Sequence, residues 1–200
     1  MLFWNRLEVT GQGNSSISTK EMKEMIEGTS LRLRPWHEDD LPWLTELRNN
    51  IALQSQLLSR VRGSGKEQTR QWLQARSTNS NSLLFIIEGK SEMIPMGYVQ
   101  FIEMDPVDRY AKLGICLVPG AEGKGKGTEV LTVTFKYLYE VLAIRKIILE
   151  VRADNACAIR CYEKLGFTKC GVFTNHKHIE GRWLDIVLME CFLEDGKAQV

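Results

Sequence analysis

Between Val118 and Thr128 the chain reads Val-Pro-Gly-Ala-Glu-Gly-Lys-Gly-Lys-Gly-Thr. The run before it, Ala111 to Val118, alternates as a strand does. The run after it puts Leu131, Phe135, Leu138 and Leu142 on one helical face, at offsets of four, three and four. A glycine turn joining a strand to a helix commits the chain to a mixed α/β architecture. Glycine also lets backbone N–H groups reach a ligand with no Cβ in the way. The start of the helix adds its dipole and its unpaired N–H groups, so the turn suits a phosphate or pyrophosphate. Lys124 and Lys126 add positive charge beside it.

Two familiar phosphate motifs do not fit. A P-loop needs Gly-x4-Gly-Lys followed by a hydroxyl that binds magnesium, and Gly127 stands where that hydroxyl belongs. A dinucleotide turn needs a third glycine where this chain has Val130.

The flanking sequence fills in the architecture. Leu31 to Arg34 alternates apolar and basic residues, a half-buried strand ended by Pro35. Glu38, Asp39 and Asp40 precede a helix carrying Leu41, Trp43, Leu44 and Leu47, with its acids at the positive end. Asn49 to Gly65 is weakly patterned. Ser64 and Glu67 have the spacing of a capping box for a helix with Trp72, Leu73 and Ala75. Leu83 to Ile87, Gly97 to Met104 and Lys146 to Val151 read as further strands. Asn155 to Leu165 is a helix stopped by Gly166, and strands over 168–176 and 182–192 close the domain. The order is β-α-α-β-β-β-α-β-α-β-β. The fold is expected to occupy 29–192, between a separate extension over 1–28 and a short tail over 193–200.

Composition narrows the function classes. Twenty-six basic residues against 25 acidic ones leave a net charge of +1, without the basic excess of an extended nucleic-acid footprint. No stretch has the ~18–20 apolar residues of a membrane span, and the first residues lack the basic and apolar runs of a secretory signal. Cys116, Cys157, Cys161, Cys170 and Cys191 are odd in number, with no Cys-x-x-Cys. Reduced, buried thiols in a cytoplasmic protein are expected, with no metal site. His176 and His178 alternate on a strand at an exposed hairpin end.

The glycine turn, followed by Asn155-Ala-Cys-Ala-Ile-Arg-Cys-Tyr-Glu-Lys-Leu-Gly-Phe167, resembles the GNAT family of N-acetyltransferases. That family's acetyl-CoA loop reads Gln/Arg-x-x-Gly-x-Gly/Ala, and Gly125 and Gly127 fill its glycine positions. Asn155, Ala158, Tyr162, Lys164, Gly166 and Phe167 match its second signature. The opening Leu31-Arg-Leu-Arg-Pro-Trp and the closing region from Phe173 to Phe192 are similar to the subgroup of ribosomal-protein and spermidine N-acetyltransferases. The resemblance covers about Thr29 to Phe192.

It implies a central, mostly antiparallel twisted sheet with a splayed strand pair and flanking helices. It implies acetyl-CoA as cosubstrate and acetyl transfer to a primary amine by direct attack on the thioester. Leu117 and Val118, at the end of the splayed strand, would face the pantetheine arm. Gly123, Lys124, Gly125, Lys126, Gly127 and Thr128 would hold the pyrophosphate. Asn155 would bond the cofactor or cap its helix, and Tyr162 would give a proton to the departing thiolate. Two positions depart from the family. Glu122 occupies the Gln/Arg position, next to an anionic ligand. The strand before the loop, around Lys112 to Ile115, has no carboxylate, so the base is expected to be Glu103, a neighbouring acid such as Asp105, or an ordered-water path.

The acceptor is a small-molecule or peptide amine: a polyamine, a protein N-terminus or another small amine. Glu38, Asp39, Asp40 and Glu46 are the acids a polyamine pocket could use. No nucleic acid and no membrane are expected as partners; a homodimer is. A non-catalytic CoA-binding sensor or assembly module is the alternative reading.

Overall fold

The computed structural model describes residues 26–194 and 197–198. The expected extension lies outside these residues except for its last three, and those already join the fold. Leu33 N–H donates to Ile26 O at 2.9 Å, and Glu27 bridges to Arg32.

Seven strands form one path in the order β1-β2-β3-β4-β5-β7-β6. They are β1 (Leu31–Arg34), β2 (Leu83–Gly89), β3 (Pro95–Asp105), β4 (Tyr110–Leu117), β5 (Lys146–Arg152), β6 (Thr168–Ile179) and β7 (Arg182–Glu194). A short β8 (Lys197–Ala198) pairs with β7, within the stretch expected to be a tail. Every pairing is antiparallel except β4 with β5. The helices are α1 (Leu41–Asn49), α2 (Ile51–Gln56), α3 (Lys66–Ser77), α4 (Lys126–Glu140) and α5 (Ala156–Glu163).

Alternation along the strands divides the apolar side chains between two layers. On one face, Val130, Leu131, Phe135 and Leu138 of α4 pack with Ile159 of α5 against Leu33, Val99, Phe101, Ile147 and Leu149. On the other, Leu41, Leu44 and Leu47 of α1 and Leu73 of α3 cover Leu84, Ile86, Tyr98 and Cys116.

Three local expectations need correction. Ser64 and Glu67 do not cap α3. Ser64 is bound through its backbone to Asn49, and Glu67 is paired with Arg70. The helix instead starts one residue later, where Gly65 N–H donates to Gln68 Oε1 at 3.0 Å. Leu142 lies beyond the end of α4 and is exposed, while Ile144 fills the core. The weakly patterned stretch contains α2, capped by Asn50, whose side chain accepts from Leu53 N–H at 3.0 Å.

β1 is tied to α1 by an ionic network. Arg34 grips buried Asp40 with both terminal nitrogens, at 2.7 and 2.9 Å, and donates from Nε to Glu88 at 2.7 Å. Arg32 Nε reaches the other Glu88 oxygen at 2.6 Å. Burial pushes the Asp40 carboxyl up, but the bonds from Arg34, His37 N–H and Trp43 more than offset it, leaving the pKa below the ordinary carboxylate range. Glu88 is likewise raised by burial and brought below its ordinary range by Arg34 and Arg32. A depressed carboxyl stabilises the fold above its unfolded pKa of ~4 and loses that contribution as pH falls through the lower folded value. Asp40→Ala leaves Arg34 with one partner fewer, and is expected to cost about 3 kcal/mol in urea unfolding at neutral pH. The difference from wild type should shrink below about pH 4.

Candidate active site

β4 and β5 run parallel for three residue pairs only: Tyr110 with Lys146, Ala111 with Ile147, and Lys112 with Ile148. Beyond these, β4 stays with β3 as far as Leu117, and β5 stays with β7 as far as Arg152. The two strands therefore part, and the backbone of β4 from Leu113 to Leu117 has an edge that β5 does not cover. This is the splayed pair the resemblance implies.

The glycine turn closes the mouth of the fork. Gly120, Gly123 and Gly125 have φ of +89°, +73° and +73°, in the left-handed region where L side chains are strained. Gly125 is the N-cap of α4, so the left-handed turn aims the first N–H groups of the helix out of the loop. A Cβ built at any of these three glycines meets nothing within 4 Å, so the cradle is open. A Cβ at Gly127 would come to 3.7 Å from Cys161 Sγ and 3.9 Å from Leu117 Cδ1. Thr128 Oγ1 lies 3.6 Å from the same sulfur. The end of β4, the first turn of α4 and α5 thus converge. Open left-handed glycines at a 15-residue helix fit the pyrophosphate of acetyl-CoA.

The charged side chains of the turn behave differently from one another. Glu122, at the anomalous position, is exposed and folds back to accept from Gly120 N–H at 2.7 Å. It buttresses the turn while its charge stays in solvent. Lys124 is exposed. Lys126 is diverted: its Nζ donates to Ser30 Oγ at 2.6 Å, and Ser30 in turn binds Glu129 through both its N–H and its hydroxyl. Its ammonium ties α4 to the entry of β1, and its backbone N–H is the group left for the turn. Val118 gives its N–H to Met96 O at 2.8 Å, and its carbonyl accepts from Ala121 at 3.1 Å.

Asn155 caps α5, accepting from Ala158 N–H at 3.1 Å, and donates to Gln56 Oε1 of α2 at 3.1 Å. Tyr162 is half-buried on α5, its ring 5.6 Å from that of Phe167. Burial, with the neighbouring Cys161 thiol, pushes its phenol well above the ordinary value. Among the described residues its hydroxyl has no hydrogen-bond partner.

The structure sets Glu103 at the closed end of the fork, away from its glycine mouth. Gly97 of β3 faces Leu117 at the mouth, whereas Glu103 lies six residues further along β3, on the order of 20 Å of strand. It is exposed, with φ +52°, and its nearest cation is Lys112 at 3.9 Å. The adjacent Asp105 binds the N–H groups of Val107 and Asp108 in the β3–β4 turn. The carboxylate standing where β4 and β5 part is Glu150, 2.6 Å from Lys112 Nζ. Inside an apolar strand run, Glu150 carried no signal of its own in the sequence.

The α1/α3 face beside the fork adds residues that were not among the site candidates in the sequence. Trp72 stacks edge-on to Tyr98 at 5.3 Å, and the Arg48 guanidinium lies 4.5 Å above the Trp72 ring. Cys116, opposite Tyr98, is buried, and burial pushes its thiol up to about 12, so it is an inert wall. The signal for Arg48 was its place four residues after Leu44, on the apolar stripe of α1.

A forked parallel pair closed by a glycine cradle is the arrangement that the acetyltransferase resemblance implied. The acetyltransferase (GNAT) domain family matches residues 30–168, and the chain belongs to that family. It is an acetyl-CoA-dependent N-acetyltransferase with an amine acceptor, so the non-catalytic alternative is not kept. Two spermidine N(1)-acetyltransferases are similar along most of their length. The one from Vibrio cholerae is 26% identical over 80% of this chain and 92% of its own. The one from Escherichia coli K12 is 27% identical over 88% and 92%. The solved structure of spermidine N-acetyltransferase from Vibrio cholerae with CoA and spermine superposes with a TM-score of 0.78 at 24% identity, covering 84% of this chain and 98% of that one. An L-methionine sulfoximine/L-methionine sulfone acetyltransferase from Salmonella typhimurium is 25% identical over 80% of this chain and 92% of its own.

Proposed function

We propose that this chain acetylates a small primary amine that approaches over the α1/α3 face and attacks the thioester directly where β4 and β5 part. The observation carrying this is the continuity of the fork with the left-handed glycine turn. One offers an uncovered strand edge for a thioester, and the other offers backbone N–H groups for the pyrophosphate behind it. Acetyl-CoA supplies the acetyl group as an activated thioester. The chain's own part is to align the two reactants and to hold a proton ready. The backbone N–H groups from Gly123 to Thr128 receive the pyrophosphate, with Lys124 the side-chain cation free to join them. Leu117 offers its strand edge to the pantetheine arm. Tyr162, kept protonated by burial and one residue from the sulfur that touches α4, gives its proton to the thiolate as the C–S bond breaks, and the proton lost by the attacking nitrogen restores the phenol.

The compounds for which these relatives are named, spermidine, L-methionine sulfoximine and L-methionine sulfone, each carry a primary amine. Of the acids considered for a polyamine pocket, Asp40 is taken by Arg34 and Glu38 by Arg70, leaving Asp39 and Glu46 exposed. Thiol release with acetyl-CoA, measured over a panel of primary amines, tests the reading, and mass spectrometry of the product identifies the acceptor.

A homodimer and a cytoplasmic location complete the proposal. Self-association is supported by the dodecameric structure of a spermidine N-acetyltransferase from Vibrio cholerae, at 25% identity and TM-score 0.71. Exposed Phe173 and Trp183 on the β6–β7 hairpin support it too, and sedimentation velocity measures it. The location is supported by five free cysteines, of which only Cys116 and Cys191 are buried as expected while Cys157 and Cys170 are exposed. Among the described residues no helix is long and apolar enough to cross a membrane.

A further inference from the structure

We propose that Arg48 is an anion-binding subsite of the acceptor pocket, and that the amine this enzyme acetylates carries a carboxylate. The inference rests on the acetyltransferase reading and deepens it by naming the substrate class.

The fold matches three shielded arginines with acids. Arg34 has Asp40 and Glu88, Arg32 has Glu88, and Arg152 has Asp154 together with Ser55. Arg48 breaks the pattern. It is half-buried, its Nε is shielded from solvent without a partner, and among the described residues no carboxylate pairs with it. What it has instead is the Trp72 ring, 4.5 Å beneath its guanidinium. A guanidinium held over an indole face still has N–H donors that no acid occupies, and a guanidinium is the group suited to bind a carboxylate in two places. Burial draws the Arg48 pKa below its ordinary value. Tyr98 opposes that shift, and nearby Arg76, another arginine without an ion-pair partner among the described residues, adds to it.

A second unpartnered atom lies on the same face. Gln100 stands two residues after Tyr98 on β3, and its Oε1 is buried with no partner. Its side chain drapes over Gly114 of β4, where a Cβ would come within 2.9 Å of Nε2. Among the described residues these are the two buried side-chain polar atoms left unsatisfied. Native folds rarely leave such atoms unpaired, and ligand-binding sites are one place where they do. Both sit on the face over which the amine is proposed to approach, beside Tyr98 and Cys116, one position from Leu117. A carboxylate would satisfy the Arg48 donors and relieve the repulsion from Arg76. A polyamine would bring a third positive charge to two that are already uncompensated.

The test is the ratio of kcat/KM within matched pairs: aminohexanoate against hexylamine, and a dipeptide against its C-terminal amide, with spermidine alongside. The wild-type enzyme is expected to favour the carboxylate member of each pair by on the order of tenfold or more. Arg48→Gln should bring the ratios to within about twofold, and Arg48→Lys, which keeps the charge but loses the fork, should fall between. A merely structural arginine would lower both members of a pair together. Equal use of both members by the wild-type enzyme, a preference for spermidine, or an undiminished ratio in Arg48→Gln would overturn the proposal. These wild-type ratios decide the matter even if the variants fold poorly. If acetyl-CoA binds and no amine is acetylated, the transferase reading fails, and this inference falls with it.

Discussion

Tyr162→Phe is expected to lower kcat on the order of a thousandfold while the Kd for acetyl-CoA stays within about twofold. Phenylalanine keeps the ring that packs on Phe167 and removes only the hydroxyl. The expected loss follows from what general acid catalysis is worth, about 10²–10⁴-fold in rate. An expelled thiolate that must find its proton in water is the step the variant slows. The split between kcat and Kd matters more than the size of the drop. Were Tyr162 only a core aromatic, removing its oxygen would leave kcat unchanged. Stopped-flow thiol release and calorimetric titration read the two quantities separately.

Gly125→Val is expected to weaken acetyl-CoA binding by at least ~100-fold without unfolding the domain. Gly125 has φ +73° and turns the chain into α4. A β-branched residue is strained there by roughly 1–2 kcal/mol or more. Relaxing that strain swings the first N–H groups of α4 away from the cradle. The space around the position is open, so no clash transmits the change to the core. Circular dichroism should therefore keep its native shape while calorimetry loses most of its heat. A variant that binds acetyl-CoA as tightly as wild type would mean the pyrophosphate is held elsewhere.

The elements that build this site were legible because their signals are local. Alternating glycines between a strand and a helix, and a capping asparagine ahead of Tyr-x-Lys-x-Gly-Phe, fix backbone geometry through the residues themselves. The features that were not legible depend on partners distant in sequence. Ser64 and Glu67 have capping-box spacing, yet Asn49, fifteen residues away, claims the Ser64 backbone and leaves Gly65 to begin the helix. Lys126 looks like a phosphate ligand until β1 folds alongside and presents Ser30, 96 residues away. Glu103 and the glycine turn are close in sequence order, but β3 and β4 are antiparallel, so the hairpin sends Glu103 to the end of the fork opposite the turn. Arg48 reads as an ordinary charged residue at a helix end. That it lacks an acid is visible only once α1, α3 and β3 are packed together.

The central claim is that the fork and the glycine cradle serve acetyl transfer to an amine. Thiol release from acetyl-CoA in the presence of the amine panel, with the acetylated product identified by mass, tests it most directly. The account predicts thiol release that depends on the amine, with one acetyl group added at the primary nitrogen and the rate sharply reduced in Tyr162→Phe. Tight acetyl-CoA binding with no amine-dependent release across the panel would contradict it.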